Sequence, residues 1–513
     1  MPATPVHPDD RTVVATTLGR VRGRREHGML AWRGIPYAAP PVGDLRLRAP
    51  RPATPWDGIR DATTAGAVPP QPRTSTASGA GFATRMDEDC LTIGVLRRAT
   101  PPAAPRPVMV FIYGGAFAIG SAAATAYDGA RLVADGDVVF VGFNYRLGAL
   151  GWLDLSRYGT AARPIDSNLG LRDQLAALRW VHDNIAAFGG DPDNVTLFGE
   201  SAGGTSVATL LTVPDARGLF ARAIVQSSGI GSVAGPQRTA AWAERFVTLL
   251  GPPEASAPEA SAADRLLSAT PDELVRALAL LEAEVTDDQP GARVLGPVVD
   301  GVLLPTHPLD AFRDGDSLPV PLIIGTNADE GTLFQLVVRA LAGTPARVDR
   351  LFALTDPGAR PGVLAGYPGY PRRRSIAELV TDLVFWHPSV TAAAGHAQVA
   401  PTWMYRFDFA PPLVRLLGLG ATHAAELDFV FGRPDSLLQR LGGLLGGRRA
   451  ARAVTVRMHG RWLAFARRGV VAEDWPQYDG ERRLTLIIDE SDRVEADPRG
   501  EIRPAWDSWT PYR

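Results

Sequence analysis

A serine between two glycines is the residue of this chain best suited to act as a nucleophile. Residues 195–203 read V-T-L-F-G-E-S-A-G, and the apolar run before Ser201 has the length of a buried strand. The residues after it can form a helix, so Ser201 would stand on a sharp strand-to-helix turn. Gly199 and Gly203 fit such a turn because a Cβ at either position would crowd it. The spacing therefore predicts a serine hydroxyl above the sheet, close to the amides that begin the next helix.

A histidine and a carboxylate must accompany such a serine, because its hydroxyl is a weak nucleophile without a base. In folds that carry this turn, the acid follows the serine and the histidine follows the acid. His423 fits the base, since it lies in T-H-A-A-E-L, where a loop enters a helix. Asp329 and Glu330 both follow the strand-like run I-I-G-T-N. The pattern alone leaves either of them as the acid.

Backbone amides are the third requirement, since acyl transfer develops negative charge on the carbonyl oxygen. The amide of Ala202, directly after the serine, is one predicted donor. The run Y-G-G-A-F at 113–117 follows another strand-like run, and its glycines let the backbone turn further amides inward. Removal of one such donor typically costs about 3–4 kcal/mol of transition-state stabilisation.

The composition argues against several classes of partner. The chain has 513 residues, 45% of them hydrophobic, and a net charge of −2, which disfavours nucleic acid or an anionic membrane. Its single cysteine, Cys90, excludes an intrachain disulfide and a cysteine-based metal site. No signal peptide is visible, nor an apolar run of about 20 residues. We therefore expect a cytoplasmic monomer or homodimer that acts on a small molecule, without a metal, cofactor or membrane partner.

Short apolar runs alternate with helical patterns along most of the chain. Several runs are continuous, as in parallel strands that are buried on both faces. The predicted strands are 93–96, 108–113, 138–143, 195–198, 223–226, 322–325, 403–407 and 484–488. This βαβ alternation predicts an α/β fold with a doubly wound, mainly parallel sheet, in one domain over residues 1–513. An edge hairpin is predicted at 12–22.

Two helical stretches, 236–290 and 331–400, interrupt this alternation. The first contains a capping box, T-P-D-E, ahead of leucines at helical spacing. Both are predicted to be insertions over the carboxyl edge of the sheet, where a substrate pocket would lie. Residues 1–11 read as a disordered tail and 69–85 as a surface loop. The run G-G-L-L-G-G at 442–447 lacks the G-K-[ST] of a phosphate loop and predicts a turn.

Several longer motifs resemble the type-B carboxylesterase/lipase family, which includes the cholinesterases and the bacterial para-nitrobenzyl esterases. F-G-G-D-P-D-N-V leading into G-E-S-A-G is similar to the family's nucleophile signature, and E-D-C-L-T-I to its second signature. G-I-P-Y-A, N-Y-R-L-G, G-T-N-A-D-E-G and H-A-A-E-L are similar as well. The resemblance runs from about Gly19 to Trp506. It implies an α/β-hydrolase fold with helical insertions over the active site.

The resemblance also implies a role for each residue of a serine carboxylesterase. Ser201 would be the nucleophile, Glu330 the acid and His423 the base, working through an acyl-enzyme. The remaining implied roles are oxyanion donors at Gly115, Ala116 and Ala202, a loop-shaping glycine at Gly114, and an electrostatic neighbour at Glu200.

Three departures from the family pattern bear on the substrate or on the cellular location. The oxyanion loop reads Y-G-G-A where many relatives have H-G-G-G, so the methyl group of Ala116 narrows the space beside the carbonyl. Relatives outside the cell pair the position of Cys90 in a disulfide, which this chain cannot form. Cholinesterases bind choline on a tryptophan before that cysteine, and residues 57–90 contain none, so a choline ester is not the expected substrate.

The expected substrates are small to medium apolar or aryl esters. Candidates to line an apolar pocket are Phe117, Phe334, Phe385 and Phe429, although each could equally be a core residue. An amidase or carbamate hydrolase with the same triad is an alternative, because it also performs acyl transfer. A non-catalytic binding protein of the adhesion type is a second alternative, which the complete Ser-Glu-His set disfavours.

Overall fold

The computed structural model describes residues 10–73, 79–81, 83–251, 261–335, 343–433 and 436–512. Most of the predicted tail 1–11 lies outside these residues, as do parts of the predicted loop 69–85 and of both predicted insertions. The statements below concern the described residues.

Fourteen strands are found in the described part of the chain. In order, β1 to β14 are Val13–Thr16, Gly19–Arg22, Arg24–Glu26, Met29–Pro36, Ile59–Asp61, Thr92–Arg98, Arg106–Ile112, Val139–Phe143, Gly190–Glu200, Arg222–Gln226, Leu322–Asn327, Thr402–Phe407, Leu484–Ile488 and Arg493–Ala496. All eight predicted strands are present, with ends that differ by a few residues. The predicted hairpin is confirmed, since β1 and β2 pair antiparallel.

Eleven strands form one mixed sheet in the order β14-β13-β12-β11-β10-β9-β7-β8-β6-β4-β3. Neighbours from β8 through β13 run parallel, while β14, β6, β4 and β3 pair antiparallel at the two edges. Every residue of β11 is buried, as the continuous apolar pattern predicts for a strand covered on both faces. A mainly parallel sheet brings the carboxyl ends of several strands to one edge.

Seventeen α-helices are found in the same described residues. In order, α1 to α17 are Ala130–Gly136, Leu169–Asn184, Ala202–Leu210, Pro236–Leu250, Ala262–Ser268, Pro271–Asp288, Pro308–Arg313, Glu330–Leu333, Pro345–Leu354, Arg360–Ala365, Arg373–Thr381, His387–His396, Pro412–Leu416, Leu427–Val430, Leu437–Gly442, Arg448–Arg468 and Arg503–Asp507. A π-helical turn, Asp382–Trp386, joins α11 to α12. None of these helices is both long enough and apolar enough to cross a membrane.

Local signals in the sequence explain where several helices begin and end. The capping box is confirmed at α6, where the Thr270 side chain accepts from the Glu273 amide and the Glu273 carboxylate accepts from the Thr270 amide. After α2 a 3-10 turn ends at Gly189, which has a φ of 80°. That left-handed conformation favours glycine and stops the helix.

Apolar side chains form two separate clusters. The larger one surrounds the sheet, and the smaller one lies among α9, α10, α11, the π-helical turn and α17. Phe385 of the π-helical turn belongs to the smaller cluster. The assignment of the whole chain to one domain stays a prediction.

Candidate active site

Ser201 occupies a strained turn between the end of β9 and the start of α3. Its backbone has φ 59° and ψ −124°, a region that residues with a Cβ rarely adopt. The Ser201 amide donates to the Gln226 carbonyl of β10 at 3.0 Å, and the Thr205 amide donates to the Ser201 carbonyl at 2.8 Å. The neighbouring strand and the new helix therefore hold the turn from both sides.

Glycines let the backbone pass closely around this turn. A Cβ on Gly203 would lie 2.0 Å from the Ile112 carbonyl oxygen, and one on Gly199 would lie 2.6 Å from Gly203 backbone atoms. A Cβ on Gly114 would lie 2.9 Å from the Ser201 Cβ. No side chain fits at these distances, so the G-x-S-x-G spacing and Gly114 are steric requirements of the site.

His423 lies between the serine and a carboxylate. Its Nε2 is 2.8 Å from Ser201 Oγ, and its Nδ1 is 2.5 Å from Glu330 Oε2. Because a carboxylate only accepts, the Nδ1 proton faces Glu330 and leaves Nε2 free to accept from the hydroxyl. The three side chains come from the ends of β9 and β11 and from the loop before α14.

The two carboxylates that the sequence pattern left open occupy different places. Glu330 is fully buried, and its second oxygen accepts from the Asn327 amide at 2.8 Å. Asp329 instead accepts from the Ala421 amide at 3.0 Å, while its own amide donates to the Ala421 carbonyl. Glu330 therefore contacts the imidazole, and Asp329 holds the loop that leads to His423.

A second carboxylate, Glu200, faces the same imidazole nitrogen as the serine. Its Oε1 lies 3.3 Å from His423 Nε2, and no described group donates to that oxygen. Burial raises the pKa of Glu200 to about 8. Burial alone would lower the pKa of His423, but the charges of Glu200 and Glu330 raise it to about 9. The ionisation of Glu200 is therefore coupled to that of His423, because each charge favours the charged form of the other group.

A third buried carboxylate, Glu426, was not singled out by the sequence pattern. It accepts from Asn327 Nδ2 at 2.6 Å and from Gln226 Nε2 at 3.0 Å, and burial raises its pKa. Asn327 also donates to the Thr422 carbonyl, directly before His423. The signal was present, since Glu426 lies three residues after His423 and Asn327 three before Glu330. Glu426 thus ties the ends of β10 and β11 to the histidine loop.

The predicted oxyanion donors lie on two turns beside Ser201. Gly115 and Ala116 have φ values of 117° and 57°, and Ala202 is the first residue of α3. No described residue accepts a hydrogen bond from these three amides. A Cβ on Gly115 would lie 2.1 Å from the Ile119 carbonyl oxygen, so this position requires glycine. The three amides remain available to a substrate oxygen.

Two stacked tyrosines support the loop that carries Gly114–Ala116. The rings of Tyr113 and Tyr145 lie 4.4 Å apart and both are fully buried. Tyr145 Oη donates to the Tyr113 carbonyl at 2.6 Å, whereas Tyr113 Oη lies 3.4 Å from the Tyr145 carbonyl. The shorter bond fixes the peptide that enters the oxyanion loop, and sequence reasoning did not identify it.

Two of the four candidate pocket phenylalanines contact the catalytic imidazole. The rings of Phe334 and Phe385 lie 5.1 and 4.8 Å from His423 and stack on each other. Phe117 packs against Trp152 next to the oxyanion loop, with ring centroids 4.0 Å apart. Phe429 is a core residue instead, packed against Phe407 and Phe409. Its position in the short helix α14 turns the ring toward β12.

Other histidines have structural partners. His307 caps α7 by accepting from the Leu309 amide, and His396 contacts Ser317 Oγ and the Val320 carbonyl. Cys90 is a buried free thiol, and burial raises its pKa well above the usual value. Among the described residues, no cluster of histidine, cysteine and acidic side chains could hold a metal ion.

Comparisons with a family model and with known proteins identify relatives of this chain. The model of the Carboxylesterase family matches residues 10–352 and 370–503. The para-nitrobenzyl esterase of Bacillus subtilis (strain 168) is 38% identical over 96% of this chain and 97% of its own length. The phenmedipham hydrolase of Pseudarthrobacter oxydans is 34% identical over 95% of this chain and 97% of its own length.

Solved structures agree in fold. A PNB esterase structure superposes with a TM-score of 0.84, at 38% identity over 96% of this chain and 99% of that one. A Geobacillus stearothermophilus carboxylesterase superposes with a TM-score of 0.82, at 38% identity over 96% of this chain and 100% of the other. The α/β-hydrolase fold with a mainly parallel sheet is therefore confirmed.

We expect Tyr145→Phe to lower kcat about tenfold or more and to change KM little. The variant leaves the buried Tyr113 carbonyl without its donor, which costs about 1–3 kcal/mol and loosens the oxyanion loop. Steady-state kinetics with para-nitrophenyl acetate measure both constants. Tyr113→Phe, which removes only a 3.4 Å contact, is the matched control. Equal losses of kcat in the two variants would refute the positioning role of Tyr145.

We expect Glu200→Gln to move the acidic limb of the kcat/KM profile to lower pH. The ionised Glu200 raises the pKa of His423, so its removal lets the imidazole stay neutral, and active as a base, in more acidic solution. An opposite charge at this range shifts a pKa by about 1–3 units. Glu426→Gln, which removes a weaker influence on His423, should move the limb less. An unchanged limb in Glu200→Gln would contradict the influence of the Glu200 charge on the pKa of His423.

Proposed function

The chain belongs to the carboxylesterase family and is a carboxylic ester hydrolase, and we propose that it works through a Ser201–His423–Glu330 triad. The observation that carries this proposal is the continuous pair of contacts from Ser201 Oγ to His423 Nε2 and from His423 Nδ1 to Glu330 Oε2, at 2.8 and 2.5 Å. A serine, a histidine and a carboxylate in this order are the arrangement that activates a serine hydroxyl for nucleophilic attack.

The reaction has two symmetrical halves. His423 Nε2 takes the hydroxyl proton while Ser201 Oγ attacks the ester carbonyl carbon, and Glu330 stabilises the imidazolium. His423 then gives that proton to the leaving alcohol oxygen, and the acyl group remains on Ser201. Water attacks the acyl carbonyl while His423 removes its proton, and the acid leaves when His423 returns the proton to Ser201 Oγ.

Three backbone amides stabilise the tetrahedral intermediates of both halves. They are those of Gly115, Ala116 and Ala202, which have no acceptor among the described residues. Amides fixed before the reaction need no reorganisation when the oxyanion forms. Because Ala116 replaces a glycine of many relatives, its methyl group limits the width beside the carbonyl.

The substrates that we propose are small to medium apolar or aryl esters. Phe334 and Phe385 cover the imidazole with two rings, and Phe117 lies beside the oxyanion loop. Aromatic side chains favour apolar acyl and aryl groups of a substrate, and they offer little to pair with a charged group. The expected partner is a single ester molecule, without a cofactor.

We expect Glu330→Gln to lower kcat about 10⁴-fold, because an uncharged amide neither stabilises the imidazolium nor fixes its tautomer. Asp329→Asn is the matched control at the next residue, and its side-chain oxygen can still accept from the Ala421 amide. It should retain most of the activity. Steady-state kinetics with para-nitrophenyl butyrate distinguish the two, and a larger loss in Asp329→Asn would assign the acid to Asp329.

We expect a fluorophosphonate probe to add once to the chain, at Ser201, with loss of turnover in proportion. Intact-mass and peptide-mass spectrometry locate the adduct, and para-nitrophenyl acetate, butyrate and octanoate follow the activity. A fall in kcat/KM at octanoate would support a small to medium pocket. Faster cleavage of a matched anilide would favour an amidase.

Ser201→Ala is the control for this experiment. It should take up no probe and keep the melting temperature, because the turn is held by backbone hydrogen bonds. Its turnover should not exceed the residual acceleration of about 10³–10⁴ over water that an oxyanion hole supplies alone. A well-folded wild-type chain that takes up no probe would overturn the proposed triad.

A further inference from the structure

Exposed leucines concentrate on one surface of the described structure. Five of its seven exposed leucines lie in two short segments, and we call them the leucine face: Leu416, Leu417, Leu441, Leu444 and Leu445. Their exposed fractions run from 48% to 74%. Together they expose roughly as much surface as three fully exposed leucine residues. Contiguous apolar patches of about 300–600 Å² are the largest on typical monomers and mark interaction sites.

The two segments of the leucine face are packed together. Helix α13 contacts both α15 and the 3-10 turn Gly443–Leu445 that follows it. A Cβ on Gly442 would lie 3.2 Å from both Pro411 and Val414, and one on Gly447 would lie 2.6 Å from Pro412. The glycines of the G-G-L-L-G-G run therefore allow close contact with α13. They leave Leu444 and Leu445 facing outward, at 63% and 58% exposure.

The two chain segments that form the leucine face carry many arginines. Residues 412–420 and 437–472 contain nine arginines and no aspartate or glutamate. Seven of these arginines are exposed: Arg415, Arg440, Arg448, Arg449, Arg452, Arg467 and Arg468. Among the acidic side chains from outside these segments, Asp489 pairs with Arg415 at 3.2 Å, and Asp492 pairs with Arg457 and Arg461. The net charge of −2, averaged over the chain, hides this local positive surface.

We propose that the leucine face docks on an anionic lipid–water interface, with the leucines inserted and the arginines on lipid phosphates. Leucines beside basic residues are the composition of interfacial membrane-binding surfaces, and guanidinium groups bind phosphate in a bidentate way. A second copy of the chain fits less well, because a symmetric contact would bring two sets of arginines together. The prediction of no membrane partner rests on the net charge of the whole chain, and this proposal departs from it for one surface.

The leucine face is connected to the chain segment that supplies the catalytic base. The Leu419 carbonyl accepts from Thr332 Oγ1 at 2.8 Å, and the Ala421 amide donates to Asp329 at 3.0 Å. Both contacts fix the chain between α13 and His423 to the strand end that carries Glu330. The leucine face is thus anchored on the segment that supplies the catalytic base.

The test measures co-sedimentation of the full chain with vesicles. The Ser201→Ala variant is used, so that lipid hydrolysis does not alter them and failure of the proposed catalysis does not affect the result. We expect binding to equimolar phosphatidylcholine–phosphatidylglycerol vesicles, little binding to pure phosphatidylcholine, and weakening with salt. Leu444→Ser with Leu445→Ser should weaken binding at least about tenfold.

Two control variants distinguish binding at this surface from nonspecific binding to vesicles. Leu280→Ser with Leu354→Ser changes two leucines of similar exposure, 54% and 49%, on α6 and α9 and should leave binding unchanged. Arg448→Gln with Arg449→Gln should reduce binding to the anionic vesicles. The variants must keep the wild-type melting temperature.

Three outcomes would overturn the proposal. They are no binding of the wild-type chain to anionic vesicles, equal binding by the Leu444→Ser/Leu445→Ser variant, and concentration-dependent dimerisation that this variant abolishes. The third would assign the face to a second copy of the chain, and analytical ultracentrifugation measures it.

Discussion

Three buried carboxylates and one imidazole form the interaction on which the rest of the site depends. Glu200, Glu330 and Glu426 are almost completely buried, and each raises the pKa of His423. Burial of unpaired charge is costly, so hydrogen bonds must stabilise these carboxylates, and burial raises the pKa values of Glu200 and Glu426. Asn327 and Gln226 donate to it from two strand ends. The pKa of His423 thus depends on β10 and β11 ending in register, because their last residues hold these carboxylates.

The same register produces the steric part of the site. Parallel pairing aligns Glu200 at the end of β9 with Gln226 at the end of β10 and, through it, with Gly325 of β11. The backbone of β7 passes so close to α3 that only Gly203 fits at the crossing. Charge, nucleophile and oxyanion donors are therefore set by one feature, the carboxyl edge of the parallel strands.

Much of this arrangement could be predicted from the sequence, because it rests on local rules. The strand–turn–helix around Ser201 and all eight predicted strands follow from apolar runs and glycine spacing. The sequence pattern could not decide between Asp329 and Glu330 as the acid. Both are carboxylates, and only the direction in which each side chain points after the strand distinguishes them. Phe429 was indistinguishable from Phe385 for a similar reason. Ring placement depends on which helix face meets the sheet, which composition does not encode.

The ring over His423 also depends on residues far away along the chain. Phe385 sits in the π-helical turn that begins at Asp382, a buried carboxyl whose pKa is raised by burial to about 6. Tyr367 donates to Asp382 at 2.5 Å and Arg499 at 2.6 Å. A buried ion pair adds little stability but fixes one arrangement, because the alternatives would leave a charge unpaired.

This fixed turn is also tied to the residue that follows Glu330, the proposed acid. Thr381, the residue before the turn, accepts from the Gly331 amide at 2.9 Å, directly after Glu330. Trp506 of α17 donates to the Tyr367 hydroxyl at 2.9 Å, which extends the network to the last helix of the chain. The position of the Phe385 ring over His423 is therefore set jointly by the sheet edge and by the C-terminal residues. No local motif at Phe385 could have shown this dependence.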